Sequence, residues 1–400
     1  MTSSQKKVEK QLSAEGHRRT VVINATNIGR YLNGIGTYTL SLLRELSTIE
    51  GNFSFIFYLN RSCAEQIKDI RFSGHCAVRW TTSWISPDHG FKGHLLRLLY
   101  SYYLSLKHPH SLMFNTSQIE GILFRSNQII TIHDVIPLLF KKWHKKQYYY
   151  FKFYLPWVLK SARGIITPSH HTKDLLIELY RIEEEKIRVI HNGIQEKWLD
   201  EFKPASMEDQ EFILYAGRLT TMKNITGLLR AFSMIMNRVP HKLLIIGGRR
   251  EEFERALKKT GLPSSSFDNG RIVFKGQVTA EEMRRLLNRA SIFVFPSFYE
   301  GFGLPPLEAM ASGCPVVVSN VASLPEVCGE AACYVDPYAV ESIADGMQRT
   351  LTDRRLRQRL IEKGRQRASL FRWEESARQH LEVFREILRK PSIPGLQGSG

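Results

Sequence analysis

The stretch FVFPSFYEGFGLPPLEAMASGCPVVVS (293–319) carries the fold in miniature. An apolar strand runs into Pro296, and Gly301 and Gly303 loosen the loop that follows. Pro305 and Pro306 suit the first turn of a helix, where a missing N–H costs nothing. LEAMAS (307–312) forms the helix, Gly313 fits its C′ position, and PVVVS (315–319) is the next strand. Such a βαβ unit turns the free N–H groups of its helix N-terminus toward the carboxyl edge of a parallel sheet, where an anion is stabilised. Glu300 in the loop and Glu308 one turn into the helix would repel a phosphate. They are therefore expected to face hydroxyl donors, of which sugars are the natural source.

Working outward, short β-branched runs alternate with helical patterns on both sides of this unit. TVVINAT (20–26), FSFIFYL (53–59), IITIHD (129–134), GIITPS (164–169) and IRVIHNG (187–193) read as strands. The pattern restarts with FILYAG (212–217), LLIIGG (243–248), RIVFKG (271–276), SIFVFP (291–296), PVVVSN (315–320) and ACYVDP (332–337). Nearly continuous apolar runs ending in turn residues are the pattern of parallel strands covered on both faces. Between them TYTLSLLRELSTI (37–49) and HTKDLLIELYRI (171–182) show helical spacing. Alternation repeated twice predicts two doubly wound α/β domains, with a joint near 195–210. WEESARQHLEVFREILRK (373–390) is an amphipathic helix, followed by a tail without core pattern.

Three further segments sit at strand ends. LYAGRLTTMKNITGLLRAF (214–232) places Arg218 and Lys223 in a loop before a helix, a forked and a mobile cation suited to a diphosphate. ATNIGRYLNGIGTYTLSLL (25–43) places Gly34 and Gly36 where a backbone can approach a ligand closely, and TIHDVIP (131–137) ends a strand on His133 and Asp134. Read singly, these are equally a solvated basic loop, a glycine turn and a hydrogen-bonded histidine. Read together with the first segment, all four lie at the edge where α/β sheets bind ligands.

Composition narrows the class. With 43% apolar and 24% charged residues the 400-residue chain is globular, and no apolar run approaches the ~20 residues of a membrane-spanning helix. The polar N-terminus has no signal-like apolar region. Five scattered cysteines without a CxxC pair point to a reduced, cytoplasmic setting without structural zinc. The net charge of +17 predicts anionic partners; its densest part, residues 91–160, holds ten Lys and Arg against Glu120 and Asp134 alone. No zinc-finger spacing, RNP-like strand or basic zipper supports a nucleic-acid-binding protein.

These residues resemble a known family. Glu300-GFGLPPL-Glu308 is similar to the E-x7-E motif of the retaining GT-B glycosyltransferases of family four. The AGRL…KN loop, the NGIG loop, the HD pair, the RVIHNG strand and the WEE helix follow in the same order, over residues 20–390. The resemblance implies two Rossmann-like domains facing across a cleft: an acceptor domain at 20–197, a nucleotide-sugar domain at 198–371, and a helix at 372–390 returning to the first. A disordered extension (1–19) and a tail (391–400) flank them. Carried over residue by residue, Arg218 and Lys223 would bind the diphosphate, Glu308 the ribose and Glu300 the transferred hexose. Backbone amides of Phe302, Gly303 and Leu304 would add contacts to phosphate and sugar. Gly36 would approach the diphosphate, His133 the sugar near its reactive carbon, and Val278 would lie at the base pocket. No metal or other cofactor is implied.

TIHDVIPLLF looks most like bacterial mannosyltransferases of surface polysaccharide assembly, which makes GDP-mannose the expected donor and a glycan or lipid-linked diphosphate the expected acceptor. An epimerase or phosphorylase on the same plan is the alternative. Finally, WHKKQYYYFKFYLPW (143–157) mixes Trp143, Tyr148, Tyr149, Tyr150, Phe151, Phe153, Tyr154 and Trp157 with lysines that include the neighbouring Lys141 and Lys142. It reads either as an anchor on the anionic inner face of a membrane or as a helix packed on the sheet.

Overall fold

A computed structural model describes residues 19–49, 51–199, 212–263 and 270–389. The chain divides into two units. One runs to His191 and resumes at Trp373, and the other spans Asn192–Arg372. The sequence reading drew these boundaries at 197 and 371. The difference has a local cause: the Ile194 N–H donates to the Phe371 carbonyl at 2.9 Å, and Ile194 forms a parallel bridge with Arg372, which ties the stretch after His191 to the second unit. The extension through residue 18 and the 391–400 tail lie outside the described residues, as does 200–210 of the expected joint.

The first unit is a seven-stranded parallel sheet of order β3-β2-β1-β4-β5-β6-β7. Its strands are β1 (Arg19–Asn24), β2 (Phe53–Asn60), β3 (Cys76–Thr81), β4 (Leu112–Asn115), β5 (Gln128–Thr131), β6 (Gly164–Thr167) and β7 (Ile187–Val189). All eight residues of β2 are buried, as the unbroken apolar run requires of a strand covered on both faces. The sequence reading missed β3 and β4. CAVRWT is an edge strand whose Arg79 and Thr81 interrupt the apolar run, and LMFN has four residues and no β-branched side chain.

At the carboxyl ends of β1, β2 and β4 the sheet carries amides rather than apolar residues, and these fasten the loops. Asn24 Nδ2 donates to Ser101 Oγ at 2.9 Å, Asn27 Nδ2 to Thr116 Oγ1 at 2.9 Å, and Asn60 Nδ2 to the Thr26 and Ile28 carbonyls at 2.8 Å. The helix Trp373–Arg389 packs into this unit through Trp373, Ala377, Leu381, Phe384 and Ile387, against Val21, Phe53 and Phe114 among others. Its His380 is fully buried. Nδ1–H donates to the Ser376 carbonyl at 2.7 Å, which leaves Nε2 to accept from Tyr38 OH at 2.8 Å. Burial holds this imidazole neutral, its pKa pushed down to about 4.

The second unit is a six-stranded parallel sheet of order β10-β9-β8-β11-β12-β13. Its strands are β8 (Phe212–Ala216), β9 (Lys242–Ile246), β10 (Ile272–Gly276), β11 (Ala290–Phe295), β12 (Val316–Ser319) and β13 (Ala332–Val335). Helices Ile225–Ile235 and Val340–Thr352 bury stripes of Leu, Ile, Phe and Met in its core. The two strand orders have one form, three strands counted back and three or more counted forward, which is the Rossmann-like doubly wound arrangement.

Within residues 143–157 the aromatics divide. Phe151 is buried, and the Tyr150 and Tyr154 hydroxyls donate to the Gln118 carbonyl at 2.8 Å and the Gly121 carbonyl at 3.0 Å. Trp143, Tyr149, Phe153 and Trp157 are exposed. No helix among the described residues is long and apolar enough to cross a membrane.

Phe384→Ala removes a fully buried ring between the last helix and the sheet, a loss of about 3–5 kcal/mol. In hydrogen-exchange mass spectrometry the first unit's strands should then exchange faster while those of Asn192–Arg372 keep their protection. Equal acceleration in both units would contradict the assignment of this helix to the first.

Candidate functional site

In the second unit the strand order reverses between β8 and β11. At such a point the connections of an open α/β sheet diverge and leave the carboxyl ends of two strands accessible. The two most informative sequence segments meet here. After β8 come Gly217 and the exposed Arg218, whose carbonyl accepts from the buried Tyr215 hydroxyl at 3.0 Å. The Arg218 guanidinium has no hydrogen-bond partner among the described residues. A short turn, Thr221–Lys223, then leads into the helix Ile225–Ile235. Asn224 between them adopts φ 52° and donates from Nδ2 to the Pro337 carbonyl at 2.7 Å, which fixes the turn.

Lys223 Nζ lies 2.5 Å from Glu300 Oε1 and 5.2 Å from the centre of the Phe295 ring. Two loops 77 residues apart in sequence are thus joined by one ion pair whose members are largely shielded from water. The Glu300 loop is further held by Ser323, whose hydroxyl sits 3.0 Å from the Glu300 carbonyl and 2.8 Å from that of Phe302. Phe302 is buried against Phe371.

The helix runs Leu304–Ala311, three residues earlier than LEAMAS suggests, with Gly303 as its N-cap at φ 113°. A Cβ on Gly303 would come within 2.8 Å of Leu324 Cδ2, so only glycine serves there. This N-terminus is a narrower anion site than the sequence reading supposed. Pro305 and Pro306 carry no N–H, so of the first three helical residues Leu304 alone has a donor. Glu308 is half-buried, has no hydrogen-bond partner among the described residues, and its carboxyl is pushed up to about 7 by burial, with the Lys197 charge pulling partly back. Val278 follows β10 at the sheet's edge, half-buried against the core and two strands from β8.

In the first unit, NGIG is not a free loop. The helix Gly34–Thr48 begins inside it, and Asn33 Oδ1 accepts the Gly36 N–H at 2.8 Å, so at the glycine expected to approach a diphosphate the amide already serves the helix cap. His133 follows β5 and is buried. Its Nε2–H donates to the Thr116 carbonyl at 2.9 Å and its backbone N–H to Gln118 Oε1 at 3.2 Å, while Tyr38 meets the ring edge-on at 4.6 Å. Burial lowers its pKa to about 4, so the imidazole is neutral and offers Nδ1 as an acceptor. Sequence reasoning missed Thr116, Gln118 and Ser323, because nothing in the spacing links them to the groups they hold. Asn33 was legible, since an Asn before a glycine-led helix is a cap signal.

Residues 32–198 match the family described as Glycosyltransferase Family 4, and residues 196–367 match Glycosyl transferases group 1. The chain belongs to the family-four glycosyltransferases of GT-B fold. It is similar to O-antigen chain mannosyltransferase B of Escherichia coli, 28% identical over 390 residues, covering 91% of this chain and 99% of that one. O-antigen chain mannosyltransferase RfbU of Salmonella typhimurium is 31% identical over 325 residues, 79% of this chain and 87% of the other. Among solved structures, sucrose-phosphate synthase from Thermosynechococcus elongatus superposes with a TM-score of 0.74 at 21% identity, covering 93% of this chain and all of that one.

Glu308 supplies a pH test. An unpartnered carboxyl that titrates near 7 accepts hydrogen bonds best once ionised, so nucleoside diphosphate affinity should rise from pH 6 to pH 8. Calorimetry should show this rise in the wild type and a flat profile in Glu308→Gln; the same slope in both would remove Glu308 from the site.

Proposed function

We propose that the protein is a retaining mannosyltransferase that moves mannose from GDP-mannose to a glycan or lipid-linked diphosphate acceptor during surface polysaccharide assembly. The observation that carries this reading is the convergence of Arg218, Lys223, Glu300 and the Leu304 amide on the switch point of the second sheet. Near-full-length similarity to two O-antigen mannosyltransferases supports the choice of mannose.

In this mechanism the bond from the sugar's anomeric carbon to the diphosphate oxygen breaks and a bond to the acceptor oxygen forms on the same face. The departing diphosphate takes the acceptor hydroxyl's proton. Negative charge grows on the leaving group, and Arg218, Lys223 and the Leu304 amide meet it from fixed positions. These cations supply the neutralisation that a divalent metal would otherwise provide, and no other cofactor is required. Glu308 accepts from the ribose hydroxyls and Glu300 from the hexose. His133 accepts a sugar hydroxyl at Nδ1, because its Nε2–H is already committed to Thr116. The amides of Phe302 and Gly303 add phosphate and sugar contacts, Gly36 contributes by its lack of a side chain, and Val278 lines the base pocket. The enzyme works on the cytoplasmic face of the membrane, held there peripherally.

Replacing Arg218 with Ala should lower kcat/KM by ~10²–10³ without changing the circular dichroism spectrum, the loss typical of one preorganised donor. Wild-type turnover in that variant would exclude the residue from the mechanism. GDP at 100 times its Kd should stabilise the protein by ~2.7 kcal/mol in thermal unfolding, with UDP and ADP giving less. A larger shift with UDP would overturn the assigned base.

The ion pair sharpens a third expectation. Glu300→Ala removes the hexose contact but also releases Lys223 to the diphosphate. Turnover of the nucleotide sugar should therefore fall while affinity for free nucleoside diphosphate does not. In Glu308→Ala both ligands should bind more weakly, and equal losses for both ligands in both variants would refute this division.

A further inference from the structure

The first unit holds a cavity of about 770 Å³, within the range of small-molecule sites, that no step above uses. It lies between the first half of the helix Gly90–Lys107 and residues 142–151. Phe91, Leu95 and Leu98 form one wall, Trp143 and Phe151 the other. Its interior is uncharged in net terms. Arg97 on the helix is buried with Glu120, Nε to Oε1 at 3.1 Å, and spends Nη1 on the Ile85 carbonyl at 2.9 Å. His94 stands edge-on to Tyr150 at 5.5 Å, and burial beside Arg97 pushes its pKa down to about 4. The charges at the edge have one sign. Lys142, Lys145 and Lys146 line it, none in an ion pair among the described residues, and residues 141–160 contain no acid.

The apolar wall continues outward. Phe91, Leu95, Leu99, Tyr103 and Leu106 recur every three or four residues on the helix, and all are exposed. Tyr149, Phe153 and Trp157 form a second exposed row at spacing four. An apolar stripe in water flanked by lysines is the profile of an element lying at the headgroup level of an anionic bilayer. A surface of that kind needs no cavity. A cavity that opens beside it, apolar within and cationic at its edge, matches a single amphiphile in polarity and in charge.

We propose that this cavity binds one hydrocarbon chain of a membrane lipid phosphate or diphosphate, whose phosphate is held at the edge by Lys142, Lys145 and Lys146. This rests on reading the chain as a transferase with a lipid-linked acceptor, and it assigns that acceptor's lipid a place in the first unit.

The test uses the full-length protein and water-soluble alkyl phosphates below their micelle concentration, without vesicles. Decyl phosphate should bind at one site by calorimetry, and hexyl phosphate on the order of 10²-fold more weakly, as four fewer buried methylenes require. Decanol should bind at least about tenfold more weakly than decyl phosphate, and the variant with all three lysines changed to Ser should lose a similar factor. Leu95→Asp, at a half-exposed position that tolerates polarity in the fold, should abolish binding. Quenching of tryptophan fluorescence by 10-bromodecyl phosphate should disappear in Trp143→Phe, which places the chain in this cavity and not elsewhere. Absence of one-site binding, indifference to Leu95→Asp, or equal binding of decanol and decyl phosphate would each overturn the proposal. Sugar transfer is read separately, with a water-soluble glycan acceptor. Transfer without alkyl phosphate binding would remove the cavity assignment alone, and alkyl phosphate binding without transfer would remove the enzymatic reading alone.

Discussion

Parallel strand pairing is the constraint from which the rest of this structure follows. Each strand must be re-entered from the same end, so every connection crosses a face of the sheet and every strand delivers its carboxyl end to one edge. When the order runs 10-9-8-11-12-13, the connections after β8 and β11 diverge, and that edge opens between them. Arg218, Lys223 and Glu300 come together because they follow those two strands. The first sheet has the same reversal between β1 and β4, and there buried hydrogen bonds among Asn24, Ser101, Asn27 and Thr116 fasten the loops.

Electrostatics differs between the two units for reasons of burial. In the second, Lys223 and Glu300 pair directly in a site largely shielded from water. Glu308 has no such partner and is therefore the carboxyl that burial displaces toward neutrality. In the first, burial keeps His133 and His380 neutral, and both act as oriented donors and acceptors. The lysines between 141 and 160 add positive charge to a surface that also carries exposed rings. The site chemistry of one unit and the surface chemistry of the other thus separate along the chain.

Much of this was legible in the residues themselves. Apolar runs with turn residues at their ends located eleven of the strands, since covering both faces of a parallel sheet leaves little freedom in composition. The Pro305–Pro306 pair and Gly313 marked both ends of one helix, because each residue is locally suited to one place in a helix terminus. The strand-end position of Arg218, Lys223, Glu300 and Glu308 likewise followed from local pattern. Tertiary structure alone decided the remainder. The edge strand β3 and the short β4 owe their conformation to their neighbours in the sheet, not to their own composition. That Lys223 pairs with Glu300 and that Thr116 and Gln118 hold His133 are matters of which groups meet across the fold. Hydrogen bonds and ion pairs form between neighbours in space, and spacing along the chain records such neighbours only when they share one element.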